Sequence, residues 1–203
     1  MRRRQWMLAV PMMLLCLLCA CRGKENTPMQ APLGLRAALN SGSGCRFTAE
    51  GTAEVEQRLY ELSLSCRVRS DGTAEVRVNL PESIAGIEAE TDGKTGRLRF
   101  DGLNLTFGLP DDERLSPLAM PAVLFRAWQE GYVVSAGPDG ADVLAVYDFG
   151  AGDPVGVRTW FDTECTPLRA ELLWMGRVCG RLEIKDFEQI SGGNNEAAEE
   201  DLG

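Results

Sequence analysis

Residues 45–55 read Cys-Arg-Phe-Thr-Ala-Glu-Gly-Thr-Ala-Glu-Val, and residues 60–69 read Tyr-Glu-Leu-Ser-Leu-Ser-Cys-Arg-Val-Arg. In the first stretch the apolar and small residues fall on odd numbers; in the second Tyr60, Leu62, Leu64, Cys66 and Val68 fall on even ones. Alternation with period two marks strands that are buried on one side only. The reversal of parity predicts an antiparallel pair joined by a loop of even length. A loop centred on Val55-Glu56 sets Phe47 opposite Leu64 and Cys45 opposite Cys66. A third strand, Thr73 to Leu80, keeps Ala74, Val76, Val78 and Leu80 on the same apolar side, behind the turn Ser70-Asp71-Gly72.

The same grammar continues outward. Ile84 to Thr91, Arg97 to Asp101 and Leu103 to Phe107 read as further strands, separated by Asp92-Gly93-Lys94 and closed by Pro110-Asp111-Asp112. Ser116-Pro117 then opens a helix, with Ser as the N-cap and Pro at the first helical position. Met120, Val123, Leu124, Ala127 and Trp128 share one face of it, and Gly131 follows its end. Strands resume at Tyr132–Ala136, Val143–Phe149, Val155–Asp162, Arg169–Trp174 and Val178–Phe187. Ahead of the first strand, residues 32–40 place Leu33, Leu35, Ala38 and Leu39 on one side of a short helix that Ser41-Gly42-Ser43-Gly44 ends. The expected architecture is α+β: a strongly curved antiparallel sheet of about ten strands, an incomplete β-barrel, whose concave face is covered by one or two helices.

The N-terminus carries a different kind of signal. Arg2, Arg3 and Arg4 precede an apolar run that closes on Leu18-Cys19-Ala20-Cys21. Pro11 interrupts the run, which falls short of the roughly 20 residues of a membrane-spanning helix. A basic start, a short apolar segment and small residues before the cut describe a cleaved export signal. The closing tetrapeptide looks like a bacterial lipobox, with Cys21 as the residue that takes the lipid. The expected organisation is a lipoprotein signal peptide at 1–20, a tether at 21–30, a single folded domain at 31–190 and a disordered acidic tail at 191–203. The place of action is then the outer face of the cytoplasmic membrane, reached through a lipid on Cys21.

Composition removes whole classes of function. The formal net charge is −9, and three of the arginines lie in the first four residues, so the exported part is more acidic still. That speaks against nucleic acid, whose binding needs clustered Lys and Arg. The chain has no histidine, which excludes Ser-His-Asp and Cys-His catalysis and histidine-based zinc sites. Strand parity brings no two carboxylates to one inward-facing cleft. No catalytic residue, metal site or cofactor is expected.

Besides Cys21, the mature chain has Cys45, Cys66, Cys165 and Cys179. In an oxidising compartment an even set favours disulfides, with three pairings open to four cysteines. The strand register above favours Cys45 with Cys66, which leaves Cys165 with Cys179 by elimination, although Cys179 shares the outward parity of Arg181 and Glu183.

The order of segments resembles the LolA-like lipoproteins, in particular the Gram-positive branch that includes germination lipoproteins of the GerS type. The segments concerned are Cys45 to Val55, Leu80-Pro81 through Ile87, Leu98 to Phe107, Ser116 to Gly131, Thr159-Trp160-Phe161-Asp162 with Pro167, and Leu182 to Phe187. The resemblance implies a half-open barrel that accepts a lipid or acyl chain and performs no covalent chemistry. Its candidate lining is Phe47, Leu62, Leu64, Val76 and Val78 from the sheet and Val123, Leu124 and Trp128 from the helix. The same spacing also serves an ordinary packed core. The alternative to a hydrophobic ligand is a protein partner in the envelope, in spore germination or cell-wall remodelling, with no ligand cavity.

Overall fold

The computed structural model describes residues 27–55, 58–92, 95–100, 103–108, 116–150 and 152–191. The expected signal peptide, Cys21, the tether up to residue 26 and the tail beyond Ser191 lie outside the described residues.

The alternating segments form eleven strands: β1 (Gly44–Val55), β2 (Arg58–Arg69), β3 (Ala74–Leu80), β4 (Glu88–Thr91), β5 (Thr95–Phe100), β6 (Leu103–Gly108), β7 (Tyr132–Asp139), β8 (Asp142–Asp148), β9 (Val155–Phe161), β10 (Pro167–Trp174) and β11 (Arg177–Ile190). They make one antiparallel sheet in the order β6-β5-β4-β3-β2-β1-β11-β10-β9-β8-β7. Two meanders, β1 to β6 and β7 to β11, therefore meet along β1 and β11. The far edges, β6 and β7, stay unpaired with each other, so the sheet does not close.

Two helices cover it, α1 (Gln30–Ser41) and α2 (Met120–Gln129). Helix α2 touches both β3 and β8, which stand six strand positions apart. On a flat sheet that separation is about 29 Å, against a helix diameter of about 10–12 Å. Contact with both is possible only because the sheet curls around the helix. Eight of the ten residues of α2 are buried, as expected of a helix apolar on nearly every side. Helix α1 packs on α2 and β1 through Leu35 and Leu39.

The first hairpin differs from its expected register. Val55 pairs with Arg58, so the loop is centred on residues 56–57, and Cys45 faces Val68 while Phe47 faces Cys66. Moving the loop centre by one residue shifts the partners by two, which leaves each side chain on its face. The inward set survives and the pairs change. Cys45 and Cys66 become diagonal neighbours instead of opposite ones, and both are free thiols.

The expected strand from Ile84 to Thr91 shrinks to Glu88–Thr91. Residues Glu82–Ile84 form a 3₁₀ turn, and Gly86 takes a left-handed φ of 86° that ends it. Ser116 likewise caps a 3₁₀ turn, Pro117–Ala119, through its carbonyl (Ala119 N–H to Ser116 O, 2.9 Å) and not through its hydroxyl. Helix α2 proper begins at Met120, with Pro121 in its first turn, where a missing N–H leaves no bond unmade.

Candidate ligand-binding interior

The site expected from the sequence is the space between the concave face and α2. All eight expected lining residues are there and all are buried: Phe47, Leu62, Leu64, Val76 and Val78 on β1, β2 and β3, and Val123, Leu124 and Trp128 on α2. They belong to one continuous apolar cluster. At its centre the Trp128 indole, Phe47 and Phe187 form a triangle of rings, with centroids 6.0 Å apart for Trp128 and Phe47, 5.9 Å and edge-on for Trp128 and Phe187, and 6.2 Å for the two phenylalanines. Here the space under the helix is filled by the helix's own side chain. Trp128 Nε1 donates to Thr159 Oγ1 at 2.9 Å, which ties α2 to β9 in a fully buried position.

Phe187 has odd parity and, by strict alternation from Leu182 and Ile184, points outward. A bulge reverses this. Between the pairs Arg46–Glu188 and Thr48–Lys185 the β11 side holds one extra residue, and Asp186 adopts a left-handed φ of 52°. The extra residue resets the phase and turns Phe187 onto Phe47 and Trp128.

A second bulge, between Leu172 and Leu173, makes Cys179 the unpaired residue of β11. Its Sγ lies 3.4 Å from the Leu172 carbonyl, and its side chain packs against the core, so the outward orientation read from parity does not hold. Burial raises its pKa. Cys165, with φ 67°, lies in the turn at the other end of β10, where Asp162 gathers the backbone N–H groups of Glu164 and Thr166. Cys165 and Cys179 thus occupy opposite ends of a strand, too far apart for the 4.4–6.8 Å Cα separation of a disulfide. Both are free, so the pairing reached by elimination is not formed. Cys45 and Cys66, enclosed in the core, are held protonated: desolvation pushes Cys45 from 9.0 up to about 12 and moves Cys66 the same way.

Two polar features of the interior escaped the sequence reading. Arg36 on α1 reaches across to the end of α2, where its Nε donates to the Trp128 carbonyl at 3.2 Å and its Nη2 to the Gly131 carbonyl. It satisfies carbonyls that the helix itself leaves open. Tyr147 on β8 is 1% exposed, and its hydroxyl has no hydrogen-bond partner among the described residues. Desolvation raises its pKa, with Arg36 opposing that shift. The available signal was parity: Ala145 and Tyr147 share the inward face of β8, and a tyrosine there brings a hydroxyl into an apolar chamber.

The outer face carries an open groove of about 430 Å³ across β1, β11, β10 and β9, lined by Thr52, Trp160, Arg169, Glu171, Arg181 and Glu183. Its charges largely serve one another. Glu171 accepts from Arg158 (3.2 Å) and Arg181 (3.1 Å), and Arg169 stacks 4.6 Å over the Trp160 ring. Among the described residues no group of three or more His, Cys, Asp or Glu is arranged to hold a metal. No described helix is long and apolar enough to cross a membrane.

No protein-family model matches the sequence. No curated protein matches it. Among solved structures it is similar to a LolA superfamily protein from Nitrosomonas europaea (12% identity, 77% of this chain and 92% of that one, TM-score 0.46). It is also similar to an outer membrane lipoprotein-sorting protein domain from Vibrio parahaemolyticus (11% identity, 81% and 93%, TM-score 0.43). A third similar structure is the lipoprotein LppX from Mycobacterium tuberculosis (10% identity, 76% and 91%, TM-score 0.38).

Proposed function

We propose that this chain is an exported lipoprotein, anchored through Cys21 to the outer face of the cytoplasmic membrane, that acts by binding and not by catalysis. Its ligand is a lipid or acyl chain received between the concave face and α2. The observation that carries this reading is the Tyr147 hydroxyl, buried in the apolar cluster without a hydrogen-bond partner among the described residues, with the Arg36 guanidinium near enough to act on it. An unpaired buried hydroxyl costs about 1–3 kcal/mol, and the carbonyl or carboxylate end of an acyl ligand would remove that cost. Access requires α2 to yield, with Trp128 swinging away from Phe47 and Phe187. Extraction of the full chain purified from its native membrane, followed by mass spectrometry, should recover non-covalent lipid, and Tyr147→Phe should retain less of it while the ligand-free chain, relieved of the unpaired hydroxyl, gains about 1–3 kcal/mol in stability. Equal recovery from both chains, or none from either, defeats the ligand reading.

A second reading is favoured by the packing around Trp128: the interior is the protein's own core, and the function is to engage a protein partner in the envelope. Under this reading the partner belongs to spore germination or cell-wall remodelling. Crosslinking in the native membrane distinguishes the two, because this reading predicts reproducible capture of one protein and no lipid in the extract.

A further inference from the structure

The topology gathers six large exposed apolar side chains at one end of the strands, while Tyr132 and Val134 are exposed on the edge strand β7. The connections β1–β2, β3–β4, β5–β6 and β10–β11 all lie at that end. Each presents large apolar residues to solvent: Leu59 (67% exposed) in the first, Leu80 and Ile84 (50% and 42%) in the second, Phe100 and Leu103 (45% and 67%) in the third, and Met175 (77%) in the fourth. In sheet order these connections are neighbours, so the residues follow one another along a rim eight strands wide. The turns at the opposite end, Ser70–Thr73, Asp139–Asp142 and Asp162–Thr166, expose no large apolar side chain among the described residues.

Scattered apolar residues on a protein surface need no explanation, but a continuous run of them at one end does. We infer that this rim is the face the domain lays against the bilayer, a deepening that rests on the anchoring proposed for Cys21. The tether decides the occupant. Eight residues lie between Cys21 and Gln30, and the nine steps span at most about 30 Å, while a domain of this size has a radius of gyration of about 15 Å. A domain held so closely keeps some part of its surface at the lipid headgroups. The rim gains most there, since aliphatic and aromatic tips leave water while the strand backbones behind them stay paired. Exposed Arg58 and Arg177 flank Leu59 and Met175, where they meet lipid phosphates; exposed acids share this end, Glu54 opposite Leu59 and Glu82 in the β3–β4 connection. Where the tether enters the domain, Met29 and Leu33 are also exposed.

The test places a tryptophan at each end of the strands. Full-length lipidated chains carrying Met175→Trp or Thr163→Trp are reconstituted into phosphatidylcholine and phosphatidylglycerol vesicles with brominated acyl chains, and emission is compared with that of the unsubstituted chain. The rim reading expects the added fluorescence at 175 to fall at least about twofold on bromination, and that at 163 to stay unchanged. Leu59→Trp repeats the measurement at a neighbouring connection in case Met175→Trp misfolds. Equal quenching at both ends, or stronger quenching at 163, overturns the orientation. Protection of 175 that persists in a dimer without vesicles assigns the rim to a second copy and also overturns it. Intact-mass analysis of the same chains separates the two levels. Lipidated Cys21 with equal quenching leaves anchoring in place and removes only the orientation, whereas unmodified Cys21 removes both.

Discussion

At the scale of single residues, the interior is organised around a few polar atoms in apolar surroundings. Trp128 donates to Thr159 where neither is exposed, so Thr159→Val should cost about 1–3 kcal/mol by leaving the indole N–H unpaired. Trp128→Ala should cost about 3–5 kcal/mol, as is usual for emptying a large aromatic site. Urea unfolding of both variants and of the double variant checks this, with non-additivity of about 1 kcal/mol expected for the shared bond. The thiols supply a pH dependence. With Cys45 raised from 9.0 to about 12, the unfolded chain releases its proton first, so stability is full below pH 9 and falls as pH rises from about 9 toward 12. Cys66 shifts in the same direction and adds to the fall. Unfolding midpoints of the Cys45→Ala chain should show a shallower alkaline slope. Trp128 was legible in the sequence because helical spacing put it among apolar neighbours. Thr159 and Tyr147 were not, because parity reports which way a residue faces and says nothing about what its polar atom will meet there.

At the scale of elements, strand identity was readable wherever alternation was strict, as in β1, β2 and β3. It failed where the backbone changes phase. The bulge at Asp186 and the one opposite Leu172 and Leu173 each insert a residue that no apolar pattern announces, and they moved Phe187 and Cys179 to the inward side. Register failed for another reason: the two candidate centres of the β1–β2 loop preserve the same faces, so burial cannot choose between them. The disulfide expectation inherited that degeneracy. Between β1 and β11 the strands also meet at a glycine. A Cβ on Gly51 would sit 1.9 Å from the Arg181 carbonyl oxygen, a backbone atom that cannot swing aside. Gly51→Ala should therefore lower stability by at least about 3 kcal/mol. Gly180→Ala should cost less, because its Cβ meets the flexible end of Met120. Denaturation midpoints of the two chains should rank in that order.

At the scale of the whole molecule, the unclosed sheet makes protection graded. The central strands β1, β2 and β11, of 12, 12 and 14 residues, are paired on both sides, while β6 and β7 have one neighbour each. Amide hydrogen exchange should be slowest in the first three and fastest at the two edges, and uniform protection across all eleven strands would contradict an open sheet. The sequence conveyed the number of strands, their antiparallel sense and the covering helix. The meeting of β1 with β11, a pairing across some 130 residues, had no local signature. That ladder has a mechanical consequence. Each meander is stitched to itself by short turns, whereas the two are stitched to each other along this ladder alone and bridged across the gap by the segment that carries α2. The molecule is thus built as a clasp, with β1 and β11 as its spine and the helix as its catch. Among the described residues the two halves share no ladder at the β6 and β7 edges, whereas Gly51 and the Asp186 bulge lie on the one ladder that joins them.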